Sequence, residues 1–482
     1  MPAWIERFAA KPQRSILLLS LGLLLAGNWI LPLTDRDETR FAEASREMLQ
    51  RGDYVVPWFN GHWRFDKPVL IYWCQSASYR VFGENPFAAR LPSVLFTTAT
   101  ALLLVRWGRK MADAKTAFLA GAMFVAGLHV AVIGRVATAD MAVVFFFTLA
   151  VGSGWELTRP QNPARMRWWW IFYVALALGF LAKGPLAALP LAGMVLGRIV
   201  RKQDFRLGLV ETLLGLCLAA GLTALWGIPA IEQTDWEYVK VGLGEHVWHR
   251  STGVNDGHGL GGLPGFVATF PLYFLTFFVS FFPWSTRVPA ALGRWWPERQ
   301  RDVLGWYLLA QALVVFVVFS CVRTKLPHYT LPAFPCLALW LALQLRAPTD
   351  SVAWFQKRLA IMGAVVLVLM LGFAAVARNY LLTENLWNAV RPQVRPETRV
   401  GCYGFTESSL VWKFRGVITS PVGLGDVKDA RDFLTNPPPF VLVVPTRDAA
   451  AFTNATDRLI QVHGLDMVKF KNWDLTAIVR DR

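Results

Sequence analysis

Cysteine is scarce in this chain, with five residues in 482. Cys74, Cys217, Cys321 and Cys336 lie in or beside apolar runs and Cys402 lies near the C-terminus, so neither a disulfide framework nor a cysteine-based metal motif is visible. Carboxylates are few as well, 33 against 49 Lys and Arg. The C-terminal segment lacks a Walker-type or GxGxxG loop, which removes the usual phosphate cradles from consideration there. No small-residue cleavage site follows the first apolar run, so that run reads as a retained span and not as a signal peptide. What the chain has in abundance is hydrophobic surface: 54% of its residues, 22 Trp and a mean hydropathy of +0.37. That composition is too apolar for a soluble enzyme and fits an integral membrane protein with many spans.

Hydrophobic windows fall near 15–33, 88–105, 116–133, 138–157, 168–182, 185–198, 207–229, 264–284, 303–322, 328–345 and 359–377, about eleven spans. With a cytoplasmic N-terminus, every inner loop is dominated by Arg and Lys, from "ERFAAKPQR" through "RWGRKMADAK" to "LRAPTDSVAWFQKR". The positive-inside rule is then met six times with one orientation, and the net charge of +16 needs no nucleic acid to explain it. The run 69–82 would invert this pattern if it crossed the bilayer, so it is read as interfacial or re-entrant. The expected fold is mainly α and polytopic, with residues 1–380 in the membrane and a small extracytoplasmic α/β domain at 394–482. In that domain "TRVGCYGF", "FVLVVPT" and "LTAIVR" read as strands, with "LGDVKDARDFLT" and "RDAAAFTNATDRL" as helices between them.

This topology gathers charged residues on the outer face. The segment 34–67 supplies Asp35, Asp37, Glu38, Glu43, Glu47, Asp53, Asp66 and Lys67; the fourth span begins with Asp140. Loop 230–263 adds Glu245, His246, His249, Arg250, Asp256 and His258, and "VRTKLPHYTLP" adds Arg323, Lys325, His328 and Tyr329.

Each residue also has a structural reading. Asp37 can cap a short interfacial helix whose apolar stripe is Phe41, Ala44 (or Ser45) and Met48, while Glu43 and Glu47 fall on its polar face and read as solvated. Asp140 sits at the edge of an apolar helix, where a carboxylate faces a cavity or a partner such as Arg135. Lys67 can snorkel to lipid phosphate. His246 and His249 form only an HxxH pair, and "DRD" at 35–37 is a three-residue match to the metal-diphosphate pattern; both signals have low specificity.

Taken together and in order, "DRDETRFAEASREML", "FDKPVLIYW", "RVATADM", "GEHVWHRSTG" and "TKLPHYTLPAFPCLALW" resemble the polyprenyl-phosphate-sugar-dependent glycosyltransferases of the GT-C fold. This family includes the bacterial lipid A aminoarabinose transferases and, more distantly, the protein O-mannosyltransferases. The resemblance runs through most of residues 15–345. It implies that Asp37 receives or orients the acceptor's proton, with Glu38 beside it and Asp140 as a second carboxylate. It further implies that Lys67 holds the donor's lipid phosphate, with Arg250 and Tyr329 as partners. In the aminoarabinose transferases a Glu precedes that lysine and shares a metal with a His. Here the matching residues are Asp66 and His246, and the shorter Asp leaves bound zinc an open question; no other cofactor is implied.

An outer-face site has no nucleotide sugar within reach, so the sugar must arrive on a flipped lipid, which argues against the metal-diphosphate reading of Asp35 and Asp37. Displacing polyprenyl phosphate builds negative charge on the leaving group, a task for fixed cations such as Lys67, Arg250 and Lys325. A hydroxyl acceptor needs a carboxylate base, for which Asp37 ranks first and Asp140 second or as its orienting partner. A single in-line displacement inverts the anomeric centre. The expected activity is therefore sugar transfer from a polyprenyl-phosphate donor to lipid A, another envelope glycan or a protein, at the periplasmic face of a bacterial inner membrane. The alternative is a multi-span transporter or lipid flippase, against which stand the absence of a clear internal repeat and the crowding of charge into outer loops.

Overall fold

Helix ends in this chain follow local chemistry. Asp113 accepts a 2.7 Å hydrogen bond from the Thr116 backbone N–H and starts the helix Ala114–Val125. Asp302 does the same for Gly305 at 2.8 Å and opens Val303–Cys321; its other oxygen accepts from the Trp295 indole at 2.9 Å. The computed structural model describes residues 3–33, 36–159, 162–200, 208–249, 262–345, 349–466 and 469–481. It divides into two compact units. One comprises Met1–Ala26, Phe65–Ile71 and Leu91–Leu367, the other Gly27–Arg64, Tyr72–Arg90 and Val368–Arg482.

The first unit is helical. By length and composition six runs among the described residues can cross a membrane: Pro86–Met111, Asp140–Thr158, Arg165–Val200, Leu209–Gln233, Val303–Cys321 and Ala353–Tyr380, of which the first begins and the last ends in the second unit. A seventh is counted if Gly265–Ser280 and Trp284–Glu298, bent by 103°, form one span. The other windows read from the sequence coincide with shorter helices, Pro12–Leu25, Ala114–Val125 and Phe334–Gln344. Hydropathy averages over breaks that backbone geometry does not, so the sequence reading of eleven exceeds this length-based number. Arg165–Val200 is itself a hairpin. Gly184, at φ +74, ends Arg165–Lys183 before a 3₁₀ turn, and a Cβ built on Gly179 would lie 3.1 Å from Ala187. In a continuous helix residues eight apart are separated by about 12 Å. Phe172 and Met194, on opposite arms, both reach Gly154. The two windows 168–182 and 185–198 are thus two arms, as the hydropathy pattern suggested.

Small residues let these helices approach. A Cβ on Gly152 would lie 1.7 Å from the Trp107 ring, and one on Gly215 would lie 2.1 Å from Tyr173.

The second unit holds a five-stranded sheet of β3 (Arg399–Tyr403), β4 (Gly423–Gly425), β5 (Phe440–Pro445), β6 (Arg458–Asp466) and β7 (Lys471–Arg480), in the order β4-β3-β5-β7-β6; β1 (Trp58–Phe59) and β2 (His62–Trp63) form a separate hairpin. β3 runs parallel to β4 and β5, while β7 is antiparallel to β5 and β6. Central β5 buries both faces: Val441 and Val443 join Leu475, Ala477, Leu386 and Phe414, whereas Phe440, Leu442 and Val444 join Ile478, Ala430 and Phe452. The three strands read from the sequence are present. Of the two expected helices, the first is a short 3₁₀ and α segment (Val427–Asp429, Ala430–Phe433); the second is a 3₁₀ turn, Thr446–Ala451, whose expected continuation is strand β6. The segment at 69–82 forms the helix Leu70–Phe82; its 13 residues span about 20 Å, too short to cross a bilayer.

The helix Arg36–Arg51 overturns one expectation. Its apolar stripe is buried, with Phe41 4% and Met48 0% exposed, but so are Glu43 and Glu47, at 0% and 1%. The helix packs on Ser408–Phe414 and on the β1–β2 hairpin, which leaves its polar face no water. The buried charge is matched instead. Arg46 pairs with Glu43, donates 2.8 Å to the Trp412 carbonyl and lies 4.2 Å over the Trp412 ring. Arg415 Nε stands 3.9 Å from both Glu43 and Glu47, and the Gly61 N–H donates to Glu47 at 3.1 Å. Burial nevertheless outweighs Arg46 and pushes the Glu43 carboxyl up to about 8.

Candidate active site

Two helix ends create an ion pair in the first unit. Asp140 opens the helix Asp140–Thr158 and Lys183 closes Arg165–Lys183, so each charge sits where the backbone dipole favours its sign. Their side chains, 11% and 9% exposed, form a charged hydrogen bond. The Thr138 hydroxyl donates to the other Asp140 oxygen at 2.8 Å, and His328 Nε2 stands 3.9 Å from the first. Arg135, the partner considered from sequence, is committed elsewhere. Its guanidinium donates to the Leu23, Ala26 and Ala131 carbonyls at 2.6–3.0 Å and satisfies the end of the Pro12–Leu25 helix.

Lys183 also lines a cavity of about 450 Å³. The same cavity is lined by Asp66, Lys67, Tyr238 and Tyr329, together with Leu186, Leu189, Val318 and Phe319. The Lys67 ammonium donates to the Asp66 carbonyl at 2.9 Å, and the Tyr238 hydroxyl donates to the Lys67 carbonyl at 3.1 Å. Tyr238 in turn packs edge-on against Phe65 and Trp226, both at 5.3 Å between centroids, which fixes the turn carrying Lys67. Lys183 lies 5.5 Å from the Tyr329 ring centroid. An apolar chamber with two ammonium groups can hold a monoanion that carries a hydrocarbon tail, because low polarity strengthens each charge contact.

The other expected residues are distributed as follows. Asp37 is exposed in the first turn of Arg36–Arg51, in the second unit. Glu38 beside it is 3% exposed, and both its oxygens accept from Arg90, at 2.7 and 2.8 Å; Arg90 spends its remaining donors on the Asn28, Leu31 and Pro32 carbonyls. Lys325 donates to the Phe319 and Ser320 carbonyls at 3.0 and 2.6 Å and so caps the Val303–Cys321 helix. Arg250, the side chain of His246 and Asp35 lie outside the described residues. Asp66 is present at the cavity wall; among the described residues no three His, Cys, Asp or Glu side chains gather as metal ligands, and the His246 side chain expected to join Asp66 is not one of those described. Lys183 escaped the sequence reading. Its signal, a lone Lys closing an apolar run before Gly-Pro, is indistinguishable from an ordinary flanking charge.

A family profile described as dolichyl-phosphate-mannose-protein mannosyltransferase matches residues 16–243. The undecaprenyl phosphate-alpha-4-amino-4-deoxy-L-arabinose arabinosyl transferase of Pectobacterium atrosepticum is 32% identical over 394 residues, 80% of this chain and 63% of that protein. Its counterpart from Enterobacter sp. (strain 638) is 32% identical over 395 residues, 78% of this chain and 68% of that protein. The chain thus spans about two thirds of the length of these relatives. Among solved structures, ArnT from Cupriavidus metallidurans bound to undecaprenyl phosphate superposes with a TM-score of 0.74, covering 96% of this chain and 97% of that one at 19% identity. The Archaeoglobus fulgidus oligosaccharyltransferase in its apo form gives 0.54, covering 92% and 70% at 11% identity. These two likenesses concern the fold. The chain belongs to the GT-C family of polyprenyl-phosphate-sugar glycosyltransferases that contains the aminoarabinose transferases. It is a multi-pass membrane protein with an ArnT-like fold.

Proposed function

We propose that this chain transfers a sugar from an undecaprenyl-phosphate-linked donor to an envelope acceptor, at the periplasmic face of a bacterial inner membrane. The observation that supports this reading best is the apolar cavity that Lys67 and Lys183 share. Its walls suit the first isoprene units of a lipid and its ammonium groups suit the phosphate. The relatives named for aminoarabinose transfer make lipid A the first acceptor to examine and an aminoarabinose the first sugar.

In this reading the acceptor oxygen attacks the anomeric carbon as the bond from that carbon to the phosphate oxygen breaks. The electron pair leaves on undecaprenyl phosphate, whose charge Lys67 and Lys183 stabilise together with Arg250, while Tyr329 shapes the pocket around Lys183. Asp37 takes the proton of a hydroxyl acceptor; a phosphate acceptor arrives ionised, and Asp37 then positions it. Asp140, bound to Lys183 and Thr138, is assigned to orienting the cation and not to proton transfer. Glu38, held by Arg90, fixes the turn that presents Asp37, and Lys325 acts through the helix end it caps. Attack from the face opposite the phosphate inverts the anomeric centre.

The reading is tested with purified full-length chain in detergent, a synthetic undecaprenyl-phosphate aminosugar and lipid A, by mass spectrometry of the product. Lys67→Ala and Asp37→Asn are expected to leave the melting temperature unchanged and to reduce transfer by at least 100-fold. Transfer at the parental rate by either variant would remove that residue from its assigned role.

A further inference from the structure

We propose that Arg287 and Arg358, which converge on the ring of Trp354, form a binding site for the phosphate of an anionic phospholipid, separate from the cavity described above. Arg287 ends the short helix Trp284–Arg287, the first turn of the second helix in the bent pair Gly265–Ser280 and Trp284–Glu298. Arg358 stands one turn beyond Trp354 in the helix Thr349–Leu367. Their guanidinium carbons lie 5.1 and 4.6 Å from the Trp354 centroid, so the two cations are no more than 9.7 Å apart, the sum of those distances.

The platform beneath them is built. Trp354 packs at 5.9 Å on Trp284, which stacks at 5.3 Å on Phe355, and the latter two side chains are fully buried. A cation–π contact draws on the charge of a guanidinium and consumes none of its five N–H donors. The only hydrogen bond recorded for either group among the described residues is a long one, 3.5 Å, from Arg358 to the Trp354 carbonyl. Neither has a carboxylate within ion-pair distance among the described side chains; that of Asp350 lies outside them. Other cations of this unit do: Arg165 pairs with Glu211, Lys110 with Glu156 and Lys183 with Asp140. Two half-buried like charges held at one ring repel each other, and a single phosphate, which accepts guanidinium forks bidentately, removes that repulsion.

The position selects a lipid as the source of the phosphate. Trp354 and Arg358 occupy the first two turns of Ala353–Tyr380, the most apolar of the candidate spans among the described residues, with a mean hydropathy of 2.8 over its best window, most of which is unburied. A Trp at the end of such a run sits at headgroup depth. Ile361 and Val365, three and seven residues after Arg358 and therefore on its face of the helix, are 47% and 39% exposed and offer a track for an acyl chain.

The test uses delipidated full-length chain in detergent and native mass spectrometry, with dioleoylphosphatidylglycerol, dioleoylphosphatidylcholine and inorganic phosphate as probes. The wild-type chain is expected to bind phosphatidylglycerol at least tenfold more tightly than phosphatidylcholine and more tightly than the Arg287→Gln/Arg358→Gln variant. Phosphatidylglycerol should also raise the melting temperature of the wild type and not of the variant. Should the pair of substitutions prevent folding, Arg358→Gln alone is expected to weaken binding at least threefold. Equal phosphatidylglycerol binding by a folded variant overturns the proposal. So does displacement of the lipid by inorganic phosphate at equal concentration, which would mark a site for the free anion. Sugar transfer plays no part in these readouts, so they stand or fall apart from the proposed activity.

Discussion

The Asp140–Lys183 pair gives the sharpest separation between architecture and chemistry. Both side chains are about nine-tenths buried, and among the described residues the Thr138 hydroxyl donates to the pair and His328 Nε2 stands 3.9 Å from the carboxylate. Asp140→Asn leaves an ammonium facing an apolar cavity without its counter-ion. Breaking a buried pair from one side costs about 3–5 kcal/mol, whereas replacing both partners with neutral groups of similar shape costs little or nothing. Asp140→Asn and Lys183→Met should therefore each lower the melting temperature of the purified chain by about 5–10 °C. The double variant should recover most of that loss, a coupling of about 2–3 kcal/mol. Transfer follows a different pattern: if Lys183 stabilises the leaving phosphate, the double variant folds and remains inactive. Differential scanning fluorimetry and the transfer assay, run on the same four proteins, give both readings. A single Asp140→Asn variant that melts within a degree of the parent would refute the argument that this carboxylate is held for Lys183. A stable and active double variant would remove the pair from the reaction.

Two further outcomes follow from packing and from titration. Gly152→Ala places a methyl group inside the Trp107 ring position, and Trp107 is 4% exposed with nowhere to swing, so a loss of about 1–3 kcal/mol is expected, relieved by adding Trp107→Leu; no change in melting would show that these helices separate easily. In the second unit, burial and then the neighbouring Asp466 push the Glu407 carboxyl from 4.5 up to about 7. A raised carboxyl makes the folded state hold a proton that the unfolded chain releases, so the contribution of this group is full below pH 4.5 and is lost as pH rises through 7. Glu407→Gln should flatten this component of the melting profile between pH 5 and 8; an unchanged profile would exclude Glu407 as its source.

What the sequence disclosed depended on whether a signal was local. Strands β5 and β7 announce themselves as apolar runs, because a sheet buried on both faces needs no alternation. Strand β6 carries the alternation of a half-buried strand, with Ile460 and Val462 packed on the core and Leu459, Gln461 and His463 exposed, but the preceding "RDAAAFTNATD" drew the reading toward helix. Asp140 was legible as a carboxylate that must have a partner. The identity of the partner was not, since Arg135 lies five residues away and Lys183 forty-three, and only the fold shows that carbonyl groups already occupy Arg135. Glu43 and Glu47 failed for a related reason. Amphipathic pattern reports which face of one helix is apolar and is silent about what covers the other face.

The distance along the chain between Arg46 and the Trp412 carbonyl it binds has a consequence for biogenesis. The two are separated by 366 residues, and the spans of the first unit lie between them. At translation rates of about 5–20 residues per second, the helix Arg36–Arg51 emerges roughly 20–70 s before its covering partner exists. Throughout that interval its apolar stripe must be sheltered by lipid or chaperone while Glu43, Arg46 and Glu47 stay hydrated. The sequence of this helix therefore has to satisfy two environments in succession, an aqueous one while the chain is being made and a dry one afterwards.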